Sequence, residues 1–209
     1  MEPTVSIDDA LGEAEVVALM RRIARWTSLA ALVALPMATW AFFKPVRVLA
    51  PTLAGVQCPT ERICIDEPAR LAEASLLAGE ALAFVQAKYG PMRKVPRLVF
   101  CSSAACARSF GFTSNAAYNV GTIALVLSPR GWTRYYLRHE LIHHVQMERL
   151  GPLHAWLFTP TWFLEGMAYS ESEDPRRPLP EPLEAYRSKF EAWRANLPAG
   201  ELWLRAEAL

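Results

Sequence analysis

RHELIHH, residues 138–144, sets two histidines four positions apart around a glutamate, with a further histidine directly behind the second. The surroundings read as a helix: Thr133 stands before it as a cap, and Gly151-Pro152 ends the run. On a helix, His139 and His143 project about 40° apart and about 6 Å along the axis, so both imidazoles reach one ion from the same side. Glu140 sits about 100° round from His139, too far to be a natural ligand but near enough to touch water beside the ion. An H-E-x-x-H helix supplies two neutral nitrogen ligands for zinc and a carboxylate, here Glu140, that acts as general base on the attacking water. His144 lies off that face and reads as a surface residue or a support to a ligand.

Two histidines do not hold a catalytic zinc alone, so the motif demands a third protein ligand that leaves a fourth position open. TPTWFLEGMAYS, residues 159–170, supplies one: Glu165 stands on the next strong helical segment, which the chain reaches after reversing at Gly151-Pro152. Gly166 removes a side chain where two helices must come close. The expected set is His139, His143 and Glu165 as ligands of Zn2+, with Glu140 as the catalytic base.

HELIHH followed by WFLEGMA resembles the gluzincin branch of zinc metallopeptidases, whose third ligand is a glutamate on the helix after the active-site helix. The resemblance covers residues 68–172 and implies a peptidase acting on a peptide or protein substrate. It also implies that NVGTIALVL, residues 119–127, lies at a sheet edge and aligns an extended peptide by strand addition. A gluzincin further uses a tyrosine or histidine to stabilise the oxyanion; Tyr186, His154 and Tyr169 are the candidates, each with a structural role as its alternative. No glycine and histidine follow His143 at metzincin spacing. Two rival functions remain: a non-catalytic, zinc-stabilised envelope domain that binds a protein partner, and a zinc hydrolase of a non-peptide amide.

Residues 26–43 form an uncharged run of 18 bracketed by Arg21, Arg22 and Arg25 on one side and Lys44 and Arg47 on the other. At about 1.5 Å per residue the run nearly matches a hydrocarbon core of about 30 Å, so it reads as a single transmembrane helix, with a cleaved signal peptide as the rival. The basic flanks lean toward a cytoplasmic N-terminus. All four cysteines, Cys58, Cys64, Cys101 and Cys106, follow that run. Their even number in two close pairs suits an oxidising compartment, and local pairing of 58 with 64 and 101 with 106 is the simplest connectivity. Four-thiolate zinc binding wants tighter spacing, and free thiols are the bland alternative. The expected location is therefore the membrane, with the catalytic domain on the periplasmic or extracellular side. A net charge of +1 with interspersed acids and bases offers no stripe for nucleic acid.

The expected organisation is a short segment 1–25 with Ser6 as a cap, the membrane helix 26–43, a juxtamembrane linker 44–67, a zincin-like domain 68–172, and a proline-rich tail with a last helix at 173–209. The domain reads as α+β: a helix over 68–89, a short strand at PRLVF, a second strand at NVGTIALVLSP, then the active-site and glutamate helices. The last helix carries an apolar stripe of Leu183, Tyr186, Phe190 and Trp193 that packs on the domain.

Overall fold

The computed structural model describes residues 7–209; the expected cap at Ser6 lies outside the described residues. Two units divide the chain, a first ending at Lys44 and a second comprising Pro45–Leu209. The first is one helix, α1 (Ile7–Phe42), with Pro36 inside it. Thr27 and Thr39 turn their hydroxyls back onto the carbonyls of Ala24 and Leu35, the usual way a helix interior satisfies such groups. The helix stops at Phe42, so Phe43 falls outside it, and Thr27, Ser28, Pro36 and Thr39 dilute the apolar run. No helix among the described residues is long and apolar enough to cross a membrane, and the expected transmembrane segment is unsupported.

The second unit is mixed helix and sheet, as the α+β reading anticipates. Four strands, β1 (Ile63–Ile65), β2 (Arg97–Phe100), β3 (Ala117–Val120) and β4 (Ala124–Leu127), form one sheet in the order β1-β2-β4-β3. β1 pairs with β2 and β2 with β4 in parallel, while β3 runs antiparallel to β4. The inner strands are apolar almost throughout because both sheet faces are covered. Alternate side chains serve two cores: Ile63, Ile65, Leu98, Phe100, Leu125 and Leu127 face the helices, whereas Cys64, Val99, Ala124 and Val126 face a smaller cluster with Val48, Val56 and Phe110. Both disulfides, Cys58–Cys64 and Cys101–Cys106, belong to this smaller cluster and carry the expected local pairing.

Two sequence expectations change here. Residues 44–67 are no plain linker: they hold two 3-10 helices and β1, and Val48 and Val56 are buried. A strand of three residues is too short for alternation to announce it. NVGTIALVL is not one strand but the hairpin of β3 and β4, reversing at Gly121 with φ +56° and closed by Ile123 N–H donating to Val120 O at 3.1 Å. Apolar residues on both sides of the glycine hide the turn. β3 is therefore an edge strand, and β4, which leads toward the RHELIHH helix, is internal.

Over the larger core lie α2 (Leu71–Tyr89) and α4 (Arg134–Leu150), with the short α3 (Ala104–Ser109) beside the second face. α2 buries Ala74, Ala78, Ala81 and Val85, a stripe of mainly small side chains, and leaves Leu76 exposed. After α4 come α5 (Pro152–Leu157), α6 (Thr161–Glu171), α7 (Leu183–Ala195) and α8 (Leu202–Ala206). α7 packs on α6 through its aromatic stripe, with Phe163 5.8 Å from Phe190 and 5.2 Å from Trp193 between ring centroids. Gly166 makes this approach possible: a Cβ there would stand 2.3 Å from Tyr186 O and 2.8 Å from Phe190 Cβ.

That contact predicts opposite outcomes at two glycines. Gly166→Ala is expected to lower stability by about 2 kcal/mol or more, since backbone of α7 must shift. Gly79→Ala, with open space at the added Cβ inside α2, is expected to raise it by about 0.5–1 kcal/mol. Urea unfolding of the two variants beside the parent reads the difference.

Candidate metal centre

α4 is a helix that buries several of its polar side chains. Arg138, His139, Glu140, His144 and Gln146 all lie inside, and a buried polar group is costly without a partner. The Arg138 guanidinium bonds Glu80 of α2 and Glu173 beyond α6, and stacks 3.7 Å over the Phe84 ring. His144 is fully buried, contrary to its reading as a surface residue. Its Nε2 donates to Lys94 O at 2.8 Å, and it lies 3.3 Å from the Glu148 carboxylate, which accepts from the backbone N–H groups of Arg93 and Lys94. This histidine latches the loop after α2 and does not reach the site.

The remaining face of α4 opens on a cavity of about 650 Å³ lined by His139, Glu140, His143 and Glu165. α6 runs antiparallel across α4: Gln146 Nε2 donates to Leu164 O at 3.0 Å, and the Tyr169 ring stands 4.3 Å from that of His139. Glu165 thereby faces both histidines. His139 Nε2 and His143 Nε2 are 3.1 Å apart, and the two Glu165 oxygens lie 3.6 Å from His139 Nε2 and from His143 Nε2. Donor atoms around four-coordinate zinc, at bonds of about 2.0–2.1 Å, stand about 3.3–3.4 Å from one another. The observed separations bracket that edge length, so His139, His143 and Glu165 fit as three ligands of one ion.

The tautomers agree with that role. His143 Nδ1 donates to Gln146 Oε1 at 2.7 Å, and the Gln146 amide is oriented by its own bond to Leu164 O, which leaves the Nε2 lone pair of His143 for a ligand. His139 is held well below the usual histidine range by burial, then by His143 and Arg176, and stays neutral. Burial raises the Glu140 carboxyl to about 7, with Glu165 adding to the rise and His143 opposing it. Its side chain has no hydrogen-bond partner among the described residues. A carboxylate held back from full ionisation, with no protein partner and facing a cavity, is suited to exchange a proton with water.

Of the three oxyanion candidates, Tyr169 alone lines the cavity. Burial, followed by the Glu165 charge, pushes its hydroxyl up to about 12, so it remains a donor. His154 sits on α5 against Phe158, and Tyr186 backs Gly166 from α7. Four residues come to the site without having been singled out from the sequence. Gln146 stands three positions after His143, and Tyr136 three before His139; i,i+3 spacing on the ligand face could have found both. Asn119 of β3 donates from Nδ2 to Glu140 O at 3.1 Å and joins the sheet edge to the motif. Arg176, which bonds Asp174 and the Tyr136 hydroxyl, comes from an aperiodic proline-rich stretch that gave no signal.

No family model matches the chain, and neither a curated protein nor a solved structure matches it. The functional reading therefore rests on the chemistry of the site.

The Gln146 bridge generates a test. Gln146→Met fills similar volume but leaves the His143 Nδ1–H without its acceptor and removes the Gln146 bond to Leu164 O. It is expected to weaken metal affinity about 10- to 100-fold with little change in far-UV circular dichroism, read by competition against a chromophoric chelator.

Proposed function

We propose that the chain is a zinc-dependent hydrolase of the gluzincin type that cleaves peptide bonds in peptide or protein substrates. The observation that carries this reading is the convergence of His139, His143 and Glu165 within 4.8 Å, on a face left open to a cavity, with Glu140 beside it. Zinc, when bound, supplies a Lewis acid that polarises the scissile carbonyl and acidifies water. Glu140 accepts the proton of the attacking water and returns it to the departing amine. Tyr169 offers its hydroxyl to the oxyanion. Asn119 holds β3 against α4, and Ala117, Tyr118 and Asn119 of this edge strand line the cavity, which favours an extended peptide over a compact amide as substrate.

Only three candidate ligands converge among the described residues, which argues against a purely structural ion, since a closed site needs another protein ligand. His144 is engaged with Lys94 O, and His154 lies outside the cavity lining. Two disulfides support a place outside the cytoplasm. For attachment to a membrane through residues 26–43 the support is the sequence alone.

The decisive comparison sets the zinc-loaded parent against Glu140→Gln on a peptide library. The variant is expected to keep one zinc per chain and to lose turnover by about 10²- to 10⁴-fold. Equal turnover in the two proteins would remove Glu140 as base and with it the mechanism.

A further inference from the structure

We propose that the cleft continues, at the end where α4 begins, into a subsite for a carboxylate group of the substrate, built on Arg108 and Arg130. The proposal rests on the peptidase reading above and specifies the substrate class.

The antiparallel run of α6 over α4 gives the cleft two distinct ends. Met147, Leu164 and Trp156 line the end where α4 finishes; Tyr136, Arg130, Ser114 and Asn115 line the end where it starts. Beyond this second end lies a smaller cavity of about 210 Å³ that shares Ser114, Asn115 and Arg130 with the cleft and adds Arg108 and Thr113. No acidic residue lines it. Arg130 Nη1 donates to Ser114 O at 3.0 Å, a bond that fixes the guanidinium against the loop while its remaining donors stay available.

Charge compensation separates these two arginines from the others nearby. Arg176, also in the cleft, is paired with Asp174 at 2.5 Å, and Arg138 is paired with Glu80 and Glu173. Neither Arg108 nor Arg130 has a carboxylate within ion-pair distance among the described residues. Single exposed arginines are ordinary surface; two uncompensated ones lining one cavity, next to hydroxyl and amide groups and continuous with a reaction cleft, form a receptor for a planar anion. Tyr136 stands about 4.5 Å along the axis before His139. An extended peptide advances about 3.3 Å per residue, so a subsite beyond Tyr136 takes an acid more than one residue from the bond cleaved.

The test uses the full chain carrying Glu140→Gln, zinc-loaded, and reads binding of fluorescently labelled peptides by anisotropy. Peptides come in Glu/Gln pairs at each position within three residues of the centre, and with free or amidated C-termini. The acidic member is expected to bind about fivefold more tightly at one position, and the gain is expected to shrink between 50 and 500 mM salt. Arg108→Gln, which leaves the Arg130–Ser114 bond intact, is expected to reduce the gain. The double reversal Arg108→Glu/Arg130→Glu is expected to convert it into a preference for Lys. Free against amidated ends separates a terminal carboxylate from an acidic side chain, and a preference from either source supports the subsite. Equal binding of acidic and neutral peptides, or a preference that survives charge reversal, overturns it. Acid-selective binding with no cleavage by the parent would retain the subsite and remove the hydrolase; cleavage without acid selectivity would do the reverse.

Discussion

A helix that buries five polar side chains governs the architecture. α4 could not sit under the sheet unless each of these groups found a partner or faced a cavity, and the neighbouring elements provide them one by one. α2 and the segment after α6 supply Glu80 and Glu173 for Arg138; the loop after α2 supplies Lys94 O for His144; α6 supplies Leu164 O for Gln146. With Arg138, His144 and Gln146 engaged in this way, His139 and Glu140 remain, and both line the cleft. The fold thus sorts the polar groups of one helix into those that attach it and those that face the cavity.

The same attachments fix ligand geometry. α6 is gripped from one side by the Gln146 bond and backed from the other by α7, which approaches as closely as Gly166 allows. A carboxylate on a helix held on two faces has few ways to move. The sheet is equally constrained: helices cover one face and a disulfide-bearing cluster covers the other, so β4 is buried along its length and β3 alone presents a free edge beside the cleft. Stiffness at the centre and a free edge at the rim are what an extended substrate would need.

Much of this was legible in the chain, for reasons that differ by element. The site was written in fixed spacing: His139 and His143 four apart, and Glu165 beside a glycine after a Gly-Pro reversal, are local patterns that tertiary context did not need to repair. The aromatic stripe of α7 was readable because its period matches a helix. β1 was not, since three residues cannot show alternation, and Val48 and Val56 look like linker residues until the small second core gives them a place. The hairpin at Gly121 was missed because its flanks are apolar and lack an Asn-Gly or Asp-Gly turn. His144 was misplaced because helical geometry tells which way a side chain points but not what waits there; Lys94 O is fifty residues away in sequence. Arg176 is beyond any local rule, arriving through a proline-rich return that only the folded chain brings to the cleft.

Charge at the centre gives the strongest physical reason to read the cluster as a cation site. His143 is turned by its Nδ1 bond to Gln146 so that Nε2 faces the cluster, and His139 is kept neutral by burial, so the His139 imidazole does not offset the Glu165 carboxylate. A second carboxyl, Glu140, faces the same space and is already held back from ionising. Two nitrogen atoms 3.1 Å apart and two acids in one partly enclosed pocket make a poor arrangement for stability alone. A dication among the three donors would remove the conflict: His139, His143 and Glu165 would hold it, its charge would balance Glu165, and Glu140 would be favoured in its ionised form. Groups that oppose one another in the bare protein become complementary around one positive charge, and the residues that pin them there are the same ones that let α4 be buried.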